Sequence, residues 1–199
     1  MPKVSQQELI AGVKQGKVIS FPTDTVPALA ALPNYASLIF ATKKRPPDKP
    51  LILMGSSPKA IWKYVQGTPE EFRIWQEVVQ KYWPGQLTLV LPASELVPKD
   101  MNPLDNSTIG VRIPDSVIAR NILKETGCLA TTSANLSGEP PKEKLREFVV
   151  SFPNALVLDK EPLNNGKKYG SGLPSTVAKW TNQGWIILRQ GSIQLTGND

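Results

Sequence analysis

Residues 42–50 combine cationic side chains at a spacing that suits phosphate binding. Four cations lie within the eight positions 43–50, with Lys43 and Arg45 two residues apart and Lys49 close by. A lysine and an arginine at this spacing can present a point charge and a planar fork to one polyphosphate. Three prolines stiffen the segment, which favours an ordered site. A charge run of this kind is also typical of a solvated basic loop.

Residues 131–138 form a second candidate site, rich in hydroxyl and amide groups. Four hydroxyl side chains and an asparagine occur within seven positions, among them Ser133 and Asn135. Loops that follow strands bind ligands in α/β sheets, so these groups could donate to phosphate oxygens or to a ribose. A turn stabilised by serine and asparagine side chains explains the same pattern equally well.

Two further segments bring a charged residue next to apolar sequence. Asp24 lies in a polar turn at residues 21–26, where it could hold Mg²⁺, orient a neighbour or cap the turn. Arg112 lies within the largely apolar stretch 108–114. A guanidinium in such surroundings must be paired, either with a protein carboxylate or with a substrate carboxylate. The glycine-rich phosphate loops of P-loop and dinucleotide-binding proteins are absent from the sequence.

Composition narrows the chemistry that these residues can perform. The 199 residues include no histidine, which excludes histidine triads, histidine metal sites and the commonest general base. The single cysteine, Cys128, begins an apolar run and is predicted to be a buried, inert thiol. One cysteine, no signal-peptide core and no apolar stretch of membrane-spanning length predict a cytoplasmic protein without membrane association. The net charge of +6 is compatible with polyphosphate or nucleic-acid ligands.

Alternating helices and strands must position these segments. The first predicted helix begins after the capping residue Ser5 and ends at Gly16. Four further helices are predicted at residues 35–42, with Leu38 and Ile39 facing the core, 69–82, 116–127 and 142–150. Strands are predicted at residues 18–21, 51–54, 87–91, 108–113, 129–132, 156–158, 176–180 and 185–188, and a mobile loop at 161–173. The pattern predicts one α/β domain, residues 1–199, built on a mixed twisted sheet.

Together the segments resemble the YrdC/Sua5 family of threonylcarbamoyl-AMP synthases. Seven motifs occur in family order between residues 21 and 191. They are Phe-Pro-Thr-Asp-Thr-Val at 21–26, Lys-Lys-Arg-Pro at 43–46, Trp-Pro-Gly-Gln-Leu-Thr at 83–88, Gly-Val-Arg-Ile-Pro at 110–114, Thr-Ser-Ala-Asn-Leu-Ser-Gly at 132–138, Pro-Ser-Thr-Val at 174–177 and Leu-Arg-Gln-Gly at 188–191. In length, the matched segment is similar to the short, single-domain members of the family.

The resemblance implies a fold and a reaction. The fold is a twisted mixed sheet with flanking helices around a large, positively lined cavity. The reaction is that of a nucleotidyltransferase, in which L-threonine, bicarbonate or CO₂, and ATP with Mg²⁺ give threonylcarbamoyl-AMP and pyrophosphate. The product serves the threonylcarbamoyladenosine modification of tRNA, which a separate transferase completes. Whether this chain itself binds tRNA or a transferase complex is left open by the sequence.

The resemblance also assigns roles to particular residues. The family's Lys-x-Arg and Ser-x-Asn signatures fall on Lys43, Arg45, Ser133 and Asn135, with Lys43 and Arg45 expected to act in catalysis. The implied ATP contacts are completed by Lys49, Thr108, the backbone near Pro141, and Arg189. The implied threonine pocket comprises Thr25, Met54, Arg112, Thr131 and Ser175. No resident metal site is implied apart from the Mg²⁺ that accompanies ATP.

The chain departs from the family pattern at two places in the threonine pocket. Residues 27–30 read Pro-Ala-Leu-Ala where many members have Tyr-Gly-Leu-Gly, and Met54 stands where long members have a histidine. A relative that acts on another amine or carbamoyl donor therefore remains an alternative. A non-catalytic RNA-binding or ribosome-maturation protein is another alternative. Against it, the sequence contains no RNA-module pattern in which basic and stacking residues alternate.

Overall fold

A mixed β-sheet forms the centre of the molecule. The computed structural model describes residues 3–135, 152–159 and 170–195, and these contain ten strands of one sheet. The strands are β1 (Lys3–Val4), β2 (Ile19–Phe21), β3 (Ala28–Ala31), β4 (Ile52–Met54), β5 (Leu87–Pro92), β6 (Thr108–Arg112), β7 (Leu129–Ser133), β8 (Leu156–Leu158), β9 (Thr176–Thr181) and β10 (Gly184–Arg189). Their order across the sheet is β1-β8-β2-β3-β7-β4-β6-β5-β9-β10. The prediction of an α/β fold on a mixed sheet is confirmed.

Five α-helices connect the strands in the described part of the chain. They are α1 (Gln6–Lys14), α2 (Ala36–Lys43), α3 (Pro58–Trp62), α4 (Pro69–Tyr82) and α5 (Val117–Thr126). Ser5 and Thr68 form capping boxes at the starts of α1 and α4, as their sequences predict. Ser116 caps α5 by accepting a hydrogen bond from the backbone N–H of Ala119. Short 3₁₀ turns occur at Pro33–Tyr35 and Lys99–Met101.

The two faces of the sheet are covered to different extents. On one face α2, α3 and α4 pack against alternate strand residues such as Leu53, Leu89 and Val111. On the other face α1 and α5 pack against β2, β3, Met54 and Leu129. These two helices cover only the part of this face nearest β2 and β3. The neighbouring part, formed by β4, β6, β5 and β9, is therefore left to line a cavity.

Several elements differ from the sequence prediction for physical reasons. Leu38 was expected to face the core but is exposed, because the buried face of α2 comprises Ala36, Ile39 and Lys43 at helical spacing. Strand β3 was not predicted, since its alanines have little intrinsic β-propensity and depend on pairing with β2 and β7. Strand β1 and helix α3 are too short to give a periodic pattern. The predicted helix 142–150 and most of the predicted loop 161–173 lie outside the described residues.

Candidate active site

Strand register aligns one row of side chains across the open face of the sheet. Thr131 of β7 pairs with Ile52 of β4, which pairs with Gly110 of β6. Gly110 pairs with Val90 of β5, and Val90 pairs with Lys179 of β9. Residues directly opposite each other in adjacent strands point to the same face. All five therefore lie along one line on the floor of the cavity, with the glycine at its centre.

A second row lies two residues further along the same strands. Met54 of β4 pairs with Arg112 of β6, and Thr88 of β5 pairs with Val177 of β9. Because side chains alternate between faces, these residues share the face of the first row. The two rows bring a guanidinium, an ammonium group, two hydroxyl groups and apolar side chains onto one surface.

The rows form the floor of a cavity of about 660 Å³. Ten of the residues that the sequence assigns to the site line it: Thr25, Arg45, Lys49, Met54, Thr108, Arg112, Thr131, Ser133, Ser175 and Arg189. Lys43 and Asn135 are buried next to this wall but are not among the described residues that line it, and Pro141 lies outside the described residues. The wall also contains charged residues that the sequence did not single out, namely Asp48, Asp105 and Lys179.

Lys43 is the last residue of α2 and is 1% exposed. Its ammonium group donates to Thr132 Oγ1 at 3.3 Å and to the carbonyl oxygen of Ser133. Burial, followed by repulsion from Arg45 and Lys49, lowers the pKa of Lys43 to about 7. The lysine is thus a buried, weakly basic group that ties the end of α2 to the strand end carrying Ser133. It does not belong to a solvated basic loop.

Arg45 shapes the loop that follows α2. Its Nε donates to the carbonyl oxygen of Lys49 at 2.8 Å, and its Nη2 donates to that of Pro50 at 2.9 Å. Lys44 takes the left-handed conformation at the helix end, with φ +50°. These contacts fold residues 45–50 along the wall and hold Arg45 at the cavity.

Arg112 is the most completely bonded cation of the site. Its Nε donates to the carbonyl oxygen of Gly85 at 3.0 Å, and its Nη1 donates to Thr25 Oγ1 at 2.8 Å. Its Nη2 forms a buried ion pair with Asp24 Oδ1 at 2.7 Å. The partner that the sequence required is therefore a protein carboxylate. Asp24 orients a neighbour, which was one of the three roles left open for it.

Asp24 itself lies behind the wall of the cavity. Its backbone carbonyl accepts hydrogen bonds from Gln86 Nε2 at 3.2 Å and from the backbone of Ser171 at 3.0 Å. The second carboxylate oxygen, Oδ2, is buried and has no hydrogen-bond partner in the described part of the chain. Gly170, at φ +68°, packs so closely that a Cβ there would lie 2.3 Å from the carbonyl oxygen of Thr25. Gln86 and residues 170–171 thus hold the turn that carries Asp24.

Arg189 and Thr88 both fix Ser175. Arg189 donates from Nε and Nη2 to the backbone carbonyl of Ser175 at 3.0 and 2.9 Å. Thr88 Oγ1 lies 2.8 Å from Ser175 Oγ, and both residues are buried. Sequence reasoning missed Thr88 as a site residue, although it ends the quoted motif at residues 83–88. Strand alternation separates Thr88 from the apolar Leu87 and Leu89, and this signal could have placed it on the face opposite the core.

Three arginines dominate the electrostatics of the cavity. Burial is the main cause of a lowered pKa for Arg45, Arg112 and Arg189. Repulsion by Arg189 lowers the pKa of Arg45 further, and repulsion by Arg112 does the same for Arg189. The electrostatic repulsion within such a row of guanidinium groups is unfavourable, and a bound anion would offset it.

The stretch that departs from the family pattern forms an ordinary strand. Residues 28–31 are strand β3, which pairs with β2 and with β7, the strand that carries Thr131 and Ser133. The carbonyl oxygen of Pro27 accepts a hydrogen bond from the backbone of Ala134 at 2.8 Å. The alanines are accommodated in a fully buried strand, so the departure leaves the backbone beside the site regular.

Other kinds of site find no support in the described residues. No group of three or more His, Cys, Asp or Glu side chains there could hold a metal ion. Cys128 is buried, and burial raises the pKa of its thiol to about 11, in agreement with the prediction of an inert residue. Among the helices described, none has the length and apolar character that crossing a bilayer requires.

The fold and the site together define a class of protein. Among the described residues, no helix covers part of one face of the mixed sheet. The cavity there is lined by arginines, lysines and hydroxyl groups, which is the chemistry of a binding site for a small anionic ligand. The chain belongs to the Sua5/YciO/YrdC family, whose model, described as telomere recombination, matches residues 12–191.

Individual relatives agree with this assignment. Threonylcarbamoyl-AMP synthase of Pyrococcus abyssi is 34% identical over 188 residues, which are 92% of this chain and 53% of that protein. Threonylcarbamoyl-AMP synthase of Vibrio parahaemolyticus is 32% identical, and the match covers 93% of this chain and 98% of that protein. This chain thus spans about half the length of the archaeal relative and nearly all of the Vibrio one.

Solved structures show the same architecture. The crystal structure of P. abyssi Sua5 complexed with L-threonine has a TM-score of 0.81 and 30% identity, covering 96% of this chain and 56% of that one. The structure of E. coli YciO has a TM-score of 0.77, covering 96% of this chain and 93% of that one. At 22% identity, YciO supports the fold alone.

Proposed function

We propose that this protein is a threonylcarbamoyl-AMP synthase that converts L-threonine, bicarbonate or CO₂, and ATP into threonylcarbamoyl-AMP and pyrophosphate. One observation carries the proposal. A single cavity joins a cationic wall of Arg45, Lys49 and Arg189 to an arginine–hydroxyl cluster of Arg112 and Thr25. The relatives that bear this enzyme's name match nearly the whole chain.

The arginine–hydroxyl cluster suits the amino-acid substrate. A guanidinium has five N–H donors, and three of those of Arg112 bond to Gly85, Asp24 and Thr25. Within the described part of the chain, one N–H on each terminal nitrogen of Arg112 has no partner, and these two can bind the carboxylate of L-threonine. Thr25, Thr131, Ser175 and Met54 would surround the rest of the amino acid. A solved relative that holds L-threonine supports this assignment.

The cationic wall suits the triphosphate. Arg45, Lys49 and Arg189 would neutralise the phosphates of ATP, with Thr108, Ser133, Asn135 and the backbone near Pro141 as further contacts. Lys43 would act through the strand end to which it donates, because its ammonium group bonds to Thr132 and Ser133 behind the wall. Mg²⁺ would enter with ATP and bridge its phosphate oxygens.

The reaction needs positioning and charge stabilisation more than proton transfer. The amine of threonine and bicarbonate give a carbamate and water. A carbamate oxygen then attacks the α-phosphorus as the bond to pyrophosphate breaks. Negative charge grows on the leaving pyrophosphate, where fixed cations in a confined site stabilise it. A chain without histidine can perform this chemistry, and loss of one such cation typically costs about 3 kcal/mol in the transition state.

The proposed product is a reactive mixed anhydride that a second enzyme would use. Transfer of its threonylcarbamoyl group to tRNA by a separate transferase would complete the threonylcarbamoyladenosine modification. A cytoplasmic location, contact with tRNA and contact with the transferase belong to the proposal.

Pyrophosphate release tests the assignment directly. The protein is incubated with MgATP, bicarbonate and each amino acid in turn, and pyrophosphate is measured together with the adenylate product by mass spectrometry. We expect release that depends on both L-threonine and bicarbonate and that falls at least 100-fold in Arg45→Ala and Arg112→Ala. Release with another amine alone would identify a different acceptor, and ATP-independent RNA binding without release would refute the enzyme assignment.

A further inference from the structure

Two neighbouring threonines at the cavity have hydroxyl protons whose directions can be worked out. Thr23 Oγ1 donates to the carbonyl oxygen of Val26 at 2.7 Å. It also accepts from the backbone N–H of Thr25 at 3.2 Å and lies 3.1 Å from Thr25 Oγ1. A hydroxyl group has one proton, and that of Thr23 is used by Val26. Thr23 can therefore only accept from the hydroxyl of Thr25.

The hydroxyl of Thr25 is consequently left with an acceptor function. Its proton points to Thr23, and one of its lone pairs accepts from Arg112 Nη1 at 2.8 Å. One lone pair of Thr25 has no donor among residues 3–135, 152–159 and 170–195, and Thr25 lines the cavity. Thr25 can accept a hydrogen bond from a ligand but has no proton to donate to it.

A third threonine, Thr131, can also only accept a hydrogen bond from a ligand, for an independent reason. Thr131 Oγ1 donates to the carbonyl oxygen of Ile52 at 3.0 Å, so its proton is also used within the protein. Thr131 lines the cavity and again presents only lone pairs. The cavity thus has fixed donors for an anion at Arg112 and two fixed acceptors for N–H or O–H groups, at Thr25 and Thr131.

We propose that Thr23 is a positioning residue that holds Thr25 as an acceptor, so that the pocket selects an amino acid by a donor group on its amine or side chain. This inference rests on the proposed function and adds a residue whose effect on the substrate is exerted through Thr25. The pocket would then bind a defined class of ligand, namely a molecule with a carboxylate and an N–H or O–H donor close to it. A ligand with acceptors at those positions would face lone pairs and be rejected.

A double-mutant cycle on pyrophosphate release tests the role of Thr23. In Thr23→Val the hydroxyl proton of Thr25 loses its acceptor and becomes free to oppose the substrate's donor. The KM for L-threonine should rise about tenfold, while the KM for ATP changes less than about twofold. Thr23→Ser keeps the hydroxyl group and should stay within about threefold of wild type. In a Thr25→Val background, Thr23→Val should add no further increase, because its effect acts through Thr25.

The outcomes separate this inference from the proposed function. Absence of threonine-dependent release in the wild type would overturn the proposed function and the inference with it. An active wild type whose KM for threonine is unchanged in Thr23→Val would overturn the inference alone. So would an equal increase in the Thr25→Val background, which would indicate a general loosening of the turn. Thermal melts check the fold, and Thr23→Ala replaces the valine variant if that variant does not fold.

Discussion

At the scale of single residues, the charge of Arg112 is balanced by a carboxylate that lies outside the cavity. Asp24 and Arg112 are both nearly buried, at 9% and 5% side-chain exposure. Removing one member of such a pair leaves an uncompensated charge. We therefore expect Asp24→Ala to lower the free energy of unfolding by about 3 kcal/mol. We expect Asp24→Asn to fold but to reduce kcat/KM for threonine at least tenfold, because the guanidinium loses its fixed orientation.

The matched control is another aspartate–arginine pair of the same chain. Asp115 bonds to Arg120 at 2.9 Å, but its side chain is 65% exposed. Solvent screens such a pair, so Asp115→Asn should change stability by less than about 1 kcal/mol and leave activity intact. Urea unfolding and threonine-dependent pyrophosphate release are measured for both variants. Equal effects of the two asparagine substitutions would refute the special role of Asp24.

The lowered pKa of Lys43 predicts how the stability of the protein depends on pH. Its pKa falls from an ordinary value of 10.5 to about 7 in the folded protein. The unfolded state therefore binds more protons between pH 7 and 10.5, and the unfavourable contribution of this residue to folding decreases as pH rises through that range. Relative to Lys43→Met, which does not titrate, wild-type protein should gain about 2 kcal/mol of stability between pH 7 and 9.

Urea unfolding of both proteins at several pH values measures this difference. Titrations elsewhere in the chain affect both proteins and cancel in the comparison. Lys44→Met, at an exposed neighbouring position, serves as the control and should follow the wild type at every pH. Parallel stability curves for wild type and Lys43→Met would show that the lysine is not a buried, weakly basic group.

At the scale of elements, strand β6 separates packing from function by its two faces. Gly110 faces the cavity between Ile52 and Thr88, and a Cβ there would lie 3.4 and 3.6 Å from their side chains. An alanine would fit, but the methyl groups of a valine would occupy the cavity floor. Gly110→Val should therefore change stability by less than about 1 kcal/mol. It should raise the KM for L-threonine or for ATP about tenfold or more.

Val111, the next residue, points to the opposite face and is fully buried in the core. Val111→Ala should cost about 2 kcal/mol of stability and leave both KM values close to wild type. Thermal melts and steady-state kinetics of the two variants test whether one face of β6 serves substrate binding and the other serves stability. Loss of activity in Val111→Ala at a temperature where it remains folded would contradict it.

The elements also show what sequence patterns can and cannot reveal. Capping boxes and apolar periodicity predicted α1, α4 and β6 well, because those signals are local. Strand β3 was missed, since an alanine-rich strand forms only through its neighbours. Ordered motifs indicated ten of the residues that line the cavity, together with Lys43 and Asn135, which do not line it. Lys179 follows the quoted motif at 174–177 and reaches the wall through its pairing with Val90. Likewise, no pattern shows that Asp24 and not a ligand neutralises Arg112.

At the scale of the whole molecule, the cavity concentrates positive charge. Among the described residues, its wall has five cations, Arg45, Lys49, Arg112, Lys179 and Arg189, and two carboxylates, Asp48 and Asp105. Because Asp24 behind the wall balances Arg112, a net charge of +2 faces this confined space, whereas the entire chain carries a net charge of +6. A field of this kind attracts ATP strongly and a zwitterion such as threonine weakly.

Salt dependence measures this field, and Lys179 is the residue that tests it. The KM for ATP should rise as salt is increased from 50 to 300 mM, because the screening length falls below about 10 Å, whereas the KM for threonine should change little. Lys179→Gln should raise the KM for ATP about threefold at low salt and flatten its salt dependence. Lys124→Gln, an exposed lysine on α5, should do neither. If salt affected both substrates equally, or if both lysine variants behaved alike, the net charge of the protein and not the cavity would steer ATP.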